Sequence, residues 1–125
     1  MHVLRTTRSG WLLGGFVALV LAACGYTQTV GATRTIQIGL TEYRLSPQRI
    51  RARPGSLTLL VHNFGHLTHN LALTQGGRIT AQTRPIRPGA SAVLTVLVTP
   101  GSYVLASTLL DDQPLGAYGS LIVAR

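Results

Sequence analysis

One segment decides the fold class: residues 88–101 read PGASAVLTVLVTPG. Its apolar residues Ala92, Leu94, Val96 and Val98 recur at every second position. A period of two puts these side chains on one face of a β-strand, and the flanking Pro-Gly pairs are typical turn residues. The segment therefore predicts a sheet strand that is entered and left through tight turns.

The same alternation recurs on both sides of this segment. It runs through residues 35–40, 49–53, 57–61, 70–74, 103–105 and 120–123. Turn pairs such as Pro54-Gly55 and Gly76-Gly77 separate these runs, and no segment after residue 24 shows a helical stripe. Short alternating runs between turn pairs predict an all-β domain, built as an antiparallel sandwich or barrel.

Residues 1–23 are predicted to be a secretory signal peptide. Arg5 and Arg8 precede an apolar stretch at 11–20, which is shorter than the roughly 20 residues that cross a bilayer as a helix. The following Leu21-Ala22-Ala23-Cys24 resembles the lipobox of bacterial lipoproteins. That resemblance implies that Cys24 becomes the N-terminus and carries acyl chains such as palmitate, which hold the protein on the outer face of a membrane.

The rest of the chain is expected to be one small domain behind a tether. Residues 24–34 are predicted to be the lipidated cysteine and a flexible, polar tether, and residues 35–125 the domain. Cys24 is the only cysteine, so no disulfide is expected. From Cys24 onward there are nine arginines, three acidic residues and no lysine, a formal charge of +6. In an exported protein, this charge favours anionic lipid, wall polymer or an acidic protein, and no nucleic-acid partner is expected.

Several motifs resemble cupredoxin domains. Glu42-Tyr43-Arg44-Leu45-Ser46-Pro47 and a strand ending at Asn63 are similar to the first half of such domains, with His69-Asn70 at the position of the first copper-binding histidine. Pro100-Gly101-Ser102-Tyr103 and residues 116–123 are similar to the strands around the second ligand loop. The resemblance implies a Greek-key β-sandwich or barrel of about seven to eight strands. It also implies that Asn70 ties the two loops together by side-chain hydrogen bonds.

The blue copper site of that family takes two histidines, a cysteine thiolate and usually a methionine. The resemblance places Ser107 at the cysteine position, Asp112 at the second histidine and Ala117 at the methionine. No cysteine or methionine follows Cys24 in the sequence. We therefore expect no type 1 copper site and no blue-copper electron transfer.

Three candidate ligands remain: His66, His69 and Asp112. Imidazole and carboxylate donors suit Cu(II) or Zn(II), so these residues form a candidate site for copper(II). His62 is expected to point outward from its strand and is left out. In the competing interpretation no cofactor is bound, His69 is a hydrogen-bonded capping residue, and His66 is solvated.

The leading hypothesis is a membrane-tethered, extracytoplasmic cupredoxin-like lipoprotein that serves as a binding or accessory module of the cell envelope, with an envelope protein as its partner. The alternative is an envelope copper-binding protein that captures Cu(II) through His66, His69 and Asp112. An enzyme is not expected. Ser107, His69 and Asp112 are the residue types of a nucleophilic triad, but no nucleophile motif orders them.

Charged side chains elsewhere have two open interpretations. Arg49, Arg51 and Arg53 share one face of a predicted strand, where they either contact anionic lipid or stay solvated and discourage edge-to-edge pairing. Glu42 is expected at the surface or paired with an arginine.

Overall fold

The computed structural model describes residues 26–109 and 118–125. The predicted signal peptide, Cys24 and Asp112 lie outside these residues. The described part of the chain forms strands and connecting loops, and no helix long and apolar enough to span a membrane is found in it. The strands are β1 Gln28–Thr29, β2 Thr35–Thr41, β3 Arg44–Ser46, β4 Arg49–Ala52, β5 Gly55–Asn63, β6 Ala72–Gln75, β7 Arg78–Gln82, β8 Ser91–Val98, β9 Gly101–Ala106 and β10 Tyr118–Val123.

These strands form two sheets. The larger sheet has the order β1-β4-β10-β9-β6-β7, and the smaller has the order β3-β2-β5-β8. Strands β1 and β10 both run parallel to β4, and β2 runs parallel to β5, whereas the other neighbours are antiparallel. The prediction of an all-β sandwich is confirmed.

The core lies between the sheets and follows the predicted alternation. The side chains of Ile36, Ile38 and Leu40 in β2 are buried in the core. The neighbouring strand β5 continues the same inner face of the smaller sheet. Burying each such side chain contributes roughly 1.5–3 kcal/mol, so the core dominates the stability of a domain without a disulfide. The other fully buried aliphatic residues include Leu45, Ile50, Leu57, Leu59, Val61, Leu71, Leu73, Leu105 and Leu121.

The number of strands is higher than predicted, ten within the described residues against about seven to eight. Strands β1, β3 and β7 were missed. The first two have only two and three residues, and β7 is almost wholly exposed, so neither length nor an apolar alternation reveals them. Their main-chain partners hold them in place instead.

The stretch assigned to a flexible tether is partly a strand, which corrects the prediction. Gln28 and Thr29 pair in parallel with Ile50 and Arg51. The amide of Val30 then donates to the Arg51 carbonyl at 2.8 Å, and its side chain packs against the core. A polar strand of two residues carries no period, which is why the sequence alone favoured a tether.

Arg34 fastens the end of this segment. It has a positive φ of 60°, and its guanidinium donates to the carbonyls of Arg53 at 2.7 Å and Ser56 at 3.0 Å. The chain is therefore tied to the turn between β4 and β5 before β2 begins.

Candidate functional site

The loops at one end of the sandwich carry the residues singled out from the sequence. Strands β2, β5 and β9 end here, and β6 and β10 begin here, as the pairs Leu40 with Asn63 and Tyr118 with Ala106 show. We call this the loop end. It holds His66, His69 and Asn70.

Asn63 organises the loop that follows β5. Its side chain is fully buried; its amide nitrogen donates to the carbonyls of Leu67 and Ile86, both at 2.8 Å, and its oxygen accepts from the Gly65 amide at 2.8 Å. Every hydrogen-bonding group of this buried amide is thereby directed at backbone. The conformation of this loop is therefore held by hydrogen bonds within the protein.

Glu42 closes the same loop from the other side. Its Oε1 accepts from the amides of His66 at 2.6 Å and Leu67 at 2.5 Å, and from Nε2 of His69 at 3.3 Å. Glu42 was expected at the surface or paired with an arginine; it is partly exposed, and its partners are backbone amides and His69. A Cβ at Gly65 would overlap the Glu42 carboxylate, so a larger residue there would displace the carboxylate from these hydrogen bonds.

The pKa of the Glu42 carboxyl reflects this environment. Desolvation by burial on its own would raise the pKa, but hydrogen bonds from the amides of Leu67, Glu42 and His66 and from the His69 imidazole together lower it. The group therefore accepts hydrogen bonds as a carboxylate. In its hydrogen bond with His69, the Nε2 atom of His69 is the donor.

His69 and His66 are separated by their environments. His69 is fully buried, and its backbone amide and carbonyl pair with Ile86 at 3.1 and 2.6 Å. His66 is exposed. Within residues 26–109 and 118–125, no three histidine, cysteine or acidic side chains come close enough to hold a metal ion. The third predicted ligand, Asp112, lies outside the described residues.

Asn70 joins the two loops. Its Oδ1 accepts from the Thr108 amide at 2.7 Å and from the Ser107 hydroxyl at 3.2 Å, and its Nδ2 donates to Thr108 Oγ1 at 2.9 Å. Its own amide donates to Ser107 Oγ at 3.3 Å. The structural role predicted for Asn70 is present, and Ser107 is engaged in it.

The donor set of a type 1 copper site does not fit these residues. Such a site needs a thiolate beside two imidazoles. Ser107, at the position that the sequence resemblance gave to the cysteine, offers a hydroxyl that is already bonded to Asn70. His69 directs Nε2 at the Glu42 carboxylate. What the described residues form is a hydrogen-bonded closure, which we call the Glu42–Asn70 network: Glu42, Asn63, His69, Asn70, Ser107 and Thr108.

Solved structures share this arrangement of strands. Auracyanin from the photosynthetic bacterium Roseiflexus castenholzii superposes with a TM-score of 0.70 at 23% identity, covering 76% of this chain and 100% of its own. Auracyanin A from Chloroflexus aurantiacus, described as a "blue" copper protein, gives 0.67 at 20% identity, covering 77% and 99%. The domain is cupredoxin-like.

The cupredoxin-like fold is also found inside an enzyme. The copper-containing nitrite reductase from Thermus scotoductus superposes with a TM-score of 0.59 at 23% identity, over 72% of this chain and 30% of its own. No protein-family model and no curated protein matches the chain at the level of sequence. Identities this low establish the fold and leave the function to the residues of the site.

The sequence reasoning missed Glu42 and Asn63 as members of the site. A usable signal was present, because Glu42 is the only acidic residue between positions 26 and 109. It comes directly after β2, whose end pairs with the end of β5. A parallel pairing of these two strands would have placed Glu42 beside the loop of His66 and His69.

Proposed function

We propose that this protein is an exported lipoprotein whose cupredoxin-like domain has no type 1 copper site and acts as a binding or accessory module of the cell envelope. The observation that supports this function most directly is the Glu42–Asn70 network. Within this network, His69 is hydrogen-bonded to Glu42, and Ser107, at the position that the resemblance gives to the cysteine ligand, is hydrogen-bonded to Asn70. The domain then works through its surface, not through redox chemistry or catalysis.

Lipid anchoring rests on Cys24 and its lipobox-like surroundings. Diacylation of this cysteine would supply the two-chain attachment that stable anchoring requires. Expression in a bacterial host that processes lipoproteins tests this point: mass spectrometry of the N-terminal peptide should find acyl chains on Cys24. The Cys24→Ser variant should leave the membrane fraction, and its retention there after a carbonate wash would contradict the anchor.

Copper(II) capture is a second candidate function. His66 is exposed on the same loop as His69, and imidazole donors suit Cu(II). Asp112 would complete the set. The hydrogen bond between His69 and Glu42 opposes this function, because a metal bound through Nε2 of His69 would have to displace the carboxylate.

A titration with Cu(II) separates the two functions. Calorimetry and electron paramagnetic resonance of the processed protein should show weak binding that does not saturate and is unchanged in His69→Ala. His62→Ala is the matched control, since His62 lies on β5 and is hydrogen-bonded to Ser91 at 2.6 Å. Stoichiometric binding with nitrogen hyperfine splitting, lost in His69→Ala and kept in His62→Ala, would instead establish copper capture.

A further inference from the structure

Large apolar and aromatic side chains are exposed together at the loop end. Tyr43 follows β2, Phe64 and Leu67 follow β5, Tyr118 begins β10, and Tyr26 precedes β1. Phe64 is 67% exposed, Tyr26 63% and Tyr118 53%. A group of this kind at one end of a small domain marks a contact surface.

Positive charge adjoins this group of side chains. Arg44 and Arg49 line one groove with Tyr26. Glu42 is the one acidic residue in the part of the chain that the structure describes, and its carboxylate is bonded to His66, Leu67 and His69. Neither arginine is therefore neutralised by an ion pair among residues 26–109 and 118–125, so both can bind an external anion.

The path of the N-terminal segment fixes where a lipid would be. Strand β1 runs parallel to β4 and β10, so the chain that precedes Gln28 leads towards the loop end. Only Gly25 lies between Cys24 and Tyr26, so the Cα atoms of the two residues are at most about 7 Å apart along an extended chain. The pairing of β1 with β4 and the hydrogen bonds of Arg34 hold this segment against the domain. It therefore does not serve as a long flexible spacer between the domain and the membrane.

We propose that the loop end docks on the interface of an anionic lipid bilayer. This inference rests on the lipid anchor proposed above. Tyrosine rings are favoured at the level of the headgroups, apolar side chains such as Phe64 and Leu67 enter the acyl boundary, and arginines bind anionic headgroups. Arg49 and Arg44 contact the surface in this orientation, whereas Arg53, just beyond the far end of β4, lies at the opposite end of the sandwich.

A single tryptophan measures this orientation. Trp11 is the only tryptophan of the chain and lies in the predicted signal peptide, so Phe64→Trp gives the processed protein one indole. In vesicles that contain phosphatidylglycerol and brominated lipid, its emission should be quenched and shifted to shorter wavelength. Leu97→Trp is the matched control: Leu97 is 74% exposed and pairs with Ser56 at the opposite end of β5. Its emission should not change.

The role of the arginines is measured without the anchor. Cys24→Ser protein freed of its signal peptide should bind vesicles with phosphatidylglycerol more tightly than vesicles of phosphatidylcholine alone. Arg44→Gln with Arg49→Gln should weaken that binding about 25-fold, or about fivefold per arginine. Arg53→Gln with Arg78→Gln removes the same charge at the opposite end of the sandwich, where β4 ends and β7 begins. This control should weaken binding less than about twofold, because charges far from the lipid surface are screened.

The outcomes separate this inference from the proposed anchor. Quenching of Phe64→Trp with no acyl chain on Cys24 would support docking and overturn the anchor. Acylated protein in which Phe64→Trp and Leu97→Trp are quenched equally, or not at all, would overturn docking and keep the anchor. A spectral shift only in native membranes, with neither shift nor quenching in protein-free vesicles, would point to a protein partner and likewise overturn docking on lipid.

Discussion

Asn70 is the single residue on which the connection between the two loops depends most. Its buried side-chain amide accepts hydrogen bonds from the Ser107 hydroxyl and the Thr108 backbone amide and donates one to Thr108 Oγ1. Loss of a buried hydrogen-bonded group costs about 1–3 kcal/mol for each group left unsatisfied.

We therefore expect Asn70→Ala to lower the free energy of unfolding by about 2–3 kcal/mol. Urea denaturation followed by circular dichroism measures this. Gln82→Ala, at an exposed position of β7, is the control and should change stability by less than about 0.5 kcal/mol. Equal effects of the two substitutions would contradict a special role for Asn70.

Glu42 gives the loop end a dependence on pH. Its pKa is lowered on folding from its ordinary value of 4.5, so the carboxylate stabilises the folded state above pH 4.5. This contribution is lost as the pH falls through the lower pKa of the folded state. Glu42→Gln should therefore reduce the melting temperature at neutral pH, and the difference from the wild type should shrink as the pH falls below 4.5. A difference that stays constant with pH would show that the carboxylate charge is not involved.

At the scale of elements, β1 makes the most specific claim, because the sequence predicted a tether there. Hydrogen exchange followed by mass spectrometry distinguishes the two. The amides that pair β1 with β4, and the Val30 amide, should exchange more slowly than those of an unstructured peptide.

Arg34→Ala should speed exchange in this segment and cost about 1 kcal/mol, since hydrogen bonds from an exposed guanidinium have modest net value. Arg78→Ala removes an equal charge from the exposed strand β7 and should leave exchange at β1 unchanged. If the amides of residues 28–30 in the wild type exchange as fast as those of an unfolded chain, the prediction of a flexible tether would be correct after all.

At the scale of the whole molecule, the two sheets share one core. Leu59 belongs to the smaller sheet and Leu121 to the larger, and both are buried within one cluster. Either residue changed to alanine should cost about 2–5 kcal/mol and lower a single unfolding transition. Differential scanning calorimetry checks this, and two separated transitions in either variant would mean that the sheets unfold independently.

The fold was largely accessible from the sequence because core strands need an alternating pattern. Strands β2, β5 and β8 show one, and all three lie where it was predicted. Short strands such as β1 and β3 bury little and are held by main-chain pairing, which leaves no trace in the order of side chains.

The candidate site was accessible only in part. Asn70 was assigned correctly through a family resemblance, whereas the partner of His69 was not, because Glu42 is 27 residues away in sequence. The residues that neighbour Glu42 in the sequence do not indicate its contact with His69. It depends on the parallel pairing of β2 with β5, which is a property of the whole sandwich.

The Glu42–Asn70 network consists of protein groups alone. A domain whose loops are joined by a bound metal ion loses that stabilisation when the ion is scarce. Here the loops are joined by hydrogen bonds between residues of the chain itself. On the function proposed above, the architecture of this end of the molecule should therefore stay the same when chelators remove free metal ions from the medium.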